Sequence, residues 1–270
     1  MTRSAATRIT TDIAYGAGPH RRLDVYEPAA ANGAALVAVH GGGWWQGDKA
    51  KEAPLAQRLA GAGYLVAAPG YRFADGARGR NLYPAQAEDV VAAIGWLRDS
   101  GFGFDRTRLG VIGASSGGNL AVEAAVRLGV PAASWSGLID LEGFMAAHPD
   151  TEPRRALIDP GRPGAGIDQG GPDNRYYAWL VVNLLGGDMA RAREATPIHR
   201  VGRATGPMFL ANSLDELVPP TEATALQAAL TAAGVPSRTA LLAGSRHAEA
   251  YLDDVLAPTL DFFGAYLARR

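Results

Sequence analysis

Two serines stand side by side in the run "GASSGG", residues 113–118. A serine hydroxyl attacks a carbonyl carbon when it is presented on a sharp strand-to-helix turn, and such a turn tolerates only small residues two positions before and after it. Ser115 has Gly113 and Gly117 at those positions, completing G-x-S-x-G, whereas Ser116 has Ala114 and Gly118. Ser115 is therefore the preferred nucleophile. Ser116, opening the helix that follows, would offer its backbone N–H to a developing oxyanion. The same six residues also read as a glycine-rich turn packing a helix closely on a strand, and short motifs match by chance. Partners have to decide.

Three further stretches could supply them. "VHGGGWWQGDK" (39–49) sets three glycines in a row, with backbone N–H groups that can approach a ligand closely. Gly42 and Gly43 are the expected donors of an oxyanion hole shared with Ser116. His40 ends the preceding strand and directly adjoins the glycines, which suits it to holding the loop rather than to taking a proton. A serine also needs a base, and the base a carboxylate to orient it. On this kind of sheet the chain order is Ser, acid, His. "NSLDELVPP" offers Asp215, with Glu216 as the alternative acid, and "AGSRHAEAY" offers His247. Asp215 is preferred because Val218 and Pro219 follow it in the spacing D-x-x-V-P. The remaining histidines fit the base less well: His20 lies in an N-terminal hairpin, and His148 and His199 lie in or beside an insertion. Trp44, Trp45, Phe144, Tyr176, Tyr177 and Trp179 could line an acyl or alcohol pocket, although packing in the core is the commoner fate of an aromatic.

These residues need a scaffold that brings separate loops to one edge. Short apolar runs at 35–40, 64–69, 108–113, 131–136, 207–212 and 237–243 read as buried strands. Between them "KEAPLAQRLAGAG", "PAQAEDVVAAIGWLRDSG", "SGGNLAVEAAVRLG" and "PTEATALQAALTAAG" carry helical spacing and end in glycine. "LDDVLAPTLDFFGAYLARR" predicts a terminal helix disturbed near Pro258. This alternation predicts an α/β fold, a mostly parallel sheet with helices on both faces. "TRITTDIAY" and "RRLDVYEP" predict a hairpin at one edge. In such sheets ligands bind beyond the carboxyl ends of the strands, where all the residues above are expected. Residues 149–175 are rich in Pro, Gly and charge and break the rhythm. They suggest a single domain over 1–270 with a small cap or lid inserted at about 142–195. A mobile lid, a fixed cap and a homodimer contact remain open roles for them.

Bulk composition narrows the function classes. The 270 residues carry 26 Lys+Arg against 27 Asp+Glu, a net charge of -1. There is no global field to draw in nucleic acid or anionic membranes. With no cysteine there are neither disulfides nor thiolate metal sites; no metal and no cofactor are expected. No window approaches 18 uninterrupted apolar residues, and "MTRSAATRITTDIAYG" lacks an apolar stretch of signal-peptide length. The expectation is a soluble cytoplasmic protein with no membrane partner.

Taken together, "HGGGWWQGDK", "GASSGGNLA", "LDELVPP" and "GSRHA" resemble the motifs of the α/β-hydrolase fold, and more narrowly those of hormone-sensitive-lipase-like and BD-FAE-like esterases. The resemblance runs from about residue 20 and includes "YRF" (71–73) and "YPAQAEDVVAAIGWL" (83–97). It implies a carboxylic ester hydrolase acting on a small ester through an acyl-enzyme, with Ser115, His247 and Asp215 as triad and Gly42, Gly43 and Ser116 as an HGGG-type oxyanion hole. Ser116 departs from the family, which usually has Ala there. Other readings on the same scaffold are an arylformamidase-type amidase, a ligand-binding pseudoenzyme, and a dehydratase that uses the oxyanion hole without a covalent step. Gly43 stands where an arylformamidase would carry a bulkier residue; the presence of His247 counts against a pseudoenzyme, and the intact serine turn against a dehydratase.

Overall fold

Strands Ala35–Val39 (β3), Leu65–Pro69 (β4) and Leu109–Ala114 (β5) are buried at every position, as strands covered on both faces must be. With Arg8–Ala14 (β1), Arg22–Glu27 (β2), Ala132–Trp135 (β6), Met208–Ser213 (β7) and Ser237–Leu242 (β8) they form one sheet in the order β1-β2-β4-β3-β5-β6-β7-β8. Only β2 runs against its neighbours, pairing antiparallel with both β1 and β4. The expected hairpin is thus at one edge. At the other edge, β8 is half-exposed rather than buried, with Leu241 showing 43% of its surface, because nothing pairs with it beyond β7 among the described residues. The structure, a computed structural model, describes residues 7–154 and 173–269.

Period-two side-chain alternation splits the core into two layers. Leu36, Ala38, Val66, Ile112 and Phe209 face the helices Ala53–Gly61 (α1) and, at the chain end, Leu252–Tyr266. Val37, Val39, Val111 and Leu210 face Ala85–Asp99 (α2), Ser116–Leu128 (α3) and Thr221–Ala232. Fully burying one such aliphatic side chain is worth about 1.5–3 kcal/mol, so both layers hold the strand ends firmly. Between β6 and β7 lie Leu141–Ala147 (α4), Asn174–Leu185 (α5) and the short Ala192–Ala195 (α6). Most of the 149–175 run lies outside the described residues. Thr221–Ala232 is α7 and Leu252–Tyr266 is α8. Helix α8 continues unbroken through Pro258, against expectation. Val255, Phe262 and Phe263 are wholly buried on the sheet, and that burial outweighs the one backbone donor proline removes.

Candidate active site

Ser115 sits between the last residue of β5 and the first of α3, with φ 54° and ψ −126°. That backbone is costly for a residue with a side chain, by about 1–3 kcal/mol, and persists only where surroundings impose it. They do so by close approach. A Cβ on Gly117 would run into the Val39 carbonyl and lie 2.7 Å from that of His40, and one on Gly113 would meet the Gly117 carbonyl. The glycines therefore let α3 press onto the ends of β3 and β5, and the Ser115 N–H is pinned to the Trp135 carbonyl at 2.8 Å. Four of the six non-glycine residues with positive φ among the described residues cluster here: Trp44, Ser115, Ser136 and Ala248.

The glycine loop lies directly over this turn. A Cβ on Gly41 would be 3.2 Å from the Ser115 Cβ and 3.0 Å from the Ala114 carbonyl. Gly42 and Gly43 reverse the chain with φ of 122° and 61°, and Gly43 is packed so closely on α5 that a Cβ would overlap Leu180. His40 is fully buried. Its Nδ1 lies 2.7 Å from the Gly41 carbonyl, its own carbonyl accepts from the Tyr71 hydroxyl at 3.1 Å, and its ring stacks on Tyr71 at 4.3 Å. Since the Gly41 oxygen only accepts, Nδ1 carries the proton. Burial pushes the His40 imidazole down to about 4, so it is neutral near pH 7 and braces the loop. The Ser116 side chain is buried too, its hydroxyl 3.5 Å from that of Tyr71.

Expectation and structure part at the carboxylate beside His247. His247 Nδ1 is hydrogen-bonded to Glu216 Oε2, not to Asp215. Glu216 is 1% exposed, whereas Leu214 and Asp215 face solvent on the turn after β7. The cause is local. Glu216 Oε1 reaches back to accept the Ser213 N–H at 2.7 Å, which folds residue 216 inward, and the Asp215 N–H is spent on the Gly244 carbonyl at 3.1 Å. Glu216 Oε1 also accepts from the Ser136 hydroxyl at 2.8 Å. The other ring nitrogen of His247, Nε2, is buried and has no hydrogen-bond partner among the described residues, the Ser115 hydroxyl included. Hydrogen bonds across the sheet end set these groups side by side: Ser136 N–H to the Ala211 carbonyl at 2.8 Å, Leu214 N–H to that of Leu242 at 2.9 Å, and Ser213 Oγ to that of Arg246 at 2.6 Å.

The six aromatics divide into two sets. Trp44 is 1% exposed and belongs to the core beneath the glycine loop, its carbonyl accepting the Ala74 N–H at 2.8 Å. Tyr177 is wholly buried, stacks on Phe144, and donates its hydroxyl to Glu222 Oε1 at 2.9 Å. Phe144 is 5% exposed and stacks on His148 as well. These three are packing residues, contrary to their pocket-lining assignment, because core formation claims large apolar rings first. Trp45 and Trp179 are partly exposed and meet edge to face at 5.3 Å, while Tyr176, 4% exposed and so as buried as Phe144, lies parallel to Trp179 at 6.1 Å.

Two groups carry no sequence signature. Ser136, in the turn after β6, is one. Glu222 is the other: its Oε2 accepts the N–H groups of Ile139 and Asp140 at 2.7 and 2.5 Å, tying α7 to the start of α4. Burial pushes that carboxyl up to about 7. Among the described residues no cluster of three or more His, Asp or Glu could hold a metal ion, and no helix is long and apolar enough to cross a membrane.

Comparisons with known proteins agree on the architecture. The BD-FAE family model matches residues 23–142. The chain is 40% identical over 105 residues to ethyl acetate hydrolase of Pseudomonas putida, covering 38% of this chain and 31% of that protein. It is 32% identical over 125 residues to Esterase LipC of Mycobacterium tuberculosis, covering 44% and 30% respectively. The chain thus spans under a third of the length of these curated relatives. Among solved structures, a truncated carbohydrate esterase from gut microbiota superposes with a TM-score of 0.75 at 18% identity over 99% of both chains. An esterase of the bacterial hormone-sensitive lipase family gives 0.74 at 21% identity, over 99% of this chain and 87% of the other.

Proposed function

We propose, for a chain that has the α/β-hydrolase fold and is similar to hormone-sensitive-lipase-like esterases, that it is a serine hydrolase cleaving small carboxylic esters. One observation carries the reading: His247 is held at Nδ1 by a buried carboxylate while Nε2 has no hydrogen-bond partner among the described residues, on a sheet end that also bears a strained serine turn. In this scheme Ser115 Oγ attacks the ester carbonyl and its proton passes to His247 Nε2. Glu216, not Asp215, steadies the imidazolium through Nδ1. The N–H groups of Gly42, Gly43 and Ser116 receive the negative oxygen of the tetrahedral intermediate. Nε2 then protonates the leaving alcohol, a water attacks the acyl-enzyme with Nε2 as base, and the acid departs from Ser115. In this scheme the serine–histidine hydrogen bond forms only when substrate binds, since catalytic hydrogen bonds in resting sites are often long or misaligned.

In the same reading the described helices between β6 and β7, at about residues 142–154 and 173–195, belong to a cap, and Trp45 and Trp179 line the acyl side. The test is labelling with a fluorophosphonate followed by peptide mass spectrometry. The expected result is one adduct, on Ser115, absent from Ser115→Ala and strongly slowed in His247→Ala. The same preparation should hydrolyse 4-nitrophenyl acetate faster than an aryl formamide. An adduct on Ser116 would shift the turn by one residue, and folded protein with no adduct and no esterase activity would overturn the proposal.

A further inference from the structure

The fourth polar group at the acid–base pair is Ser136. Its φ of 48° lies in the left-handed region, where glycine would fit the backbone with less strain. What glycine could not supply is the hydroxyl, which is fully buried and uses all of its hydrogen-bonding capacity. A carboxylate only accepts, so the Ser136 proton must go to Glu216 Oε1, at 2.8 Å. Both lone pairs are then filled from the base side. The Ala248 N–H, next in the chain after His247, donates at 3.0 Å, and the Tyr251 hydroxyl lies 2.6 Å away. The single Tyr251 proton has two acceptors in reach, the Ser136 oxygen and, farther off at 3.1 Å, the Ala211 carbonyl on β7; with the Ser136 proton committed to Glu216, it goes to Ser136. One oxygen atom therefore bridges the loop that bears the acid and the loop that bears the base.

We propose that Ser136 is a positioning residue for the reaction, fixing the Glu216 carboxylate and the His247 loop in register through its single hydroxyl. This rests on the reading of Glu216 and His247 as acid and base. It acts through Glu216: by satisfying Oε1 it leaves Oε2 turned to Nδ1, and by holding Ala248 it fixes the residue next to the imidazole.

The test is a double-variant cycle on hydrolysis of 4-nitrophenyl acetate, with thermal unfolding of each variant alongside. Ser136→Ala should lower kcat about tenfold with KM within about twofold, the scale of one hydrogen bond to a charged group. Ser136→Gly should lose as much turnover while unfolding at no lower temperature than Ser136→Ala, since it relieves the strain; it also serves if the alanine variant fails to fold. In a Glu216→Ala background, Ser136→Ala should cost clearly less than it does in the parent, about two- to threefold, because the arm acting through Glu216 is gone and only the hold on the Ala248 N–H remains. Full activity in Ser136→Ala beside a crippled Glu216→Ala overturns the proposal and leaves the acid assignment standing. Equal, additive losses in both backgrounds overturn it in favour of a purely structural role. An unimpaired Glu216→Ala sinks the acid assignment, and this proposal with it.

Discussion

Glu216 divides its work between its two oxygens. Oε1 takes the Ser213 N–H and the Ser136 hydroxyl, and Oε2 faces His247 Nδ1, so the carboxylate is buried without an unsatisfied lone-pair direction of consequence. Asp215, one residue earlier, is exposed, and among the described residues its one hydrogen bond is from its backbone N–H to the Gly244 carbonyl. The two neighbours should therefore behave very differently. Glu216→Gln is expected to lower kcat about 10³–10⁴-fold, the cost of an orienting acid that no longer fixes the imidazole tautomer. Asp215→Asn is expected to stay within about twofold of the parent, as surface changes generally do. Steady-state kinetics on one chromogenic ester separates the alternatives, and a crippled Asp215→Asn beside an active Glu216→Gln would reverse the assignment. The sequence motif could not make this distinction. Both acids stand in "LDELVPP", and which turns inward depends on Glu216 reaching back to the Ser213 N–H, a contact three residues away that leaves no compositional trace. Ser136 was illegible for a similar reason: its partners come from two later strand ends.

At the scale of elements, β3, β5 and α3 meet in close backbone contact. Gly117 abuts the carbonyls of Val39 and His40, which are backbone atoms that cannot swing aside. Gly117→Ala should consequently force α3 away from the sheet, lowering unfolding free energy by about 1–3 kcal/mol and displacing the Ser115 turn enough to abolish most fluorophosphonate labelling. Urea unfolding and labelling measured together check this; an alanine variant of parental stability and reactivity would mean that α3 has slack the packing does not indicate. This junction was readable from "GASSGG" and "HGGG" because glycine at a fixed spacing has few other physical uses than close approach. Six of the eight strands could likewise be located from short apolar runs, and β1 and β2 as an edge hairpin; burial on both faces selects the central ones, β3 to β7, strongly. What periodicity misjudged were elements whose fate is settled by neighbours: the half-exposed edge strand β8, and helix α8, kept continuous across Pro258 by its buried face.

For the whole molecule, two buried carboxyls set the response to pH. Glu52 is 1% exposed, neither of its oxygens has a hydrogen-bond partner among the described residues, and burial pushes it up to about 8 from 4.5. Glu222 is pushed up to about 7 for the same reason. A carboxyl whose folded value is raised binds its proton more tightly when folded, so its contribution is complete below the unfolded value and is lost as pH rises through the folded one. His40, lowered to about 4, acts in the opposite sense up to its unfolded value of 6.5, so stability should decline most clearly between about pH 6.5 and pH 8, and Glu52→Gln, which cannot ionise, should flatten that decline. Unfolding midpoints measured across the range decide it, and an unchanged slope in Glu52→Gln would remove Glu52 as the cause. The contact between Leu180 and Gly43 has a different consequence at this scale. Helix α5 also meets the glycine loop through Trp179 and Trp45, and Asn183 binds the Gly76 N–H and the Ala74 carbonyl. Under the proposed mechanism, a bulky acyl chain that levers α5 outward would drag the glycine loop with it and blunt the proposed donors during the chemical step. Selection by size would then be exercised in turnover: along acetate, butyrate and octanoate esters kcat should fall while KM does not rise, and a rising KM at constant kcat would show that helix and loop move independently.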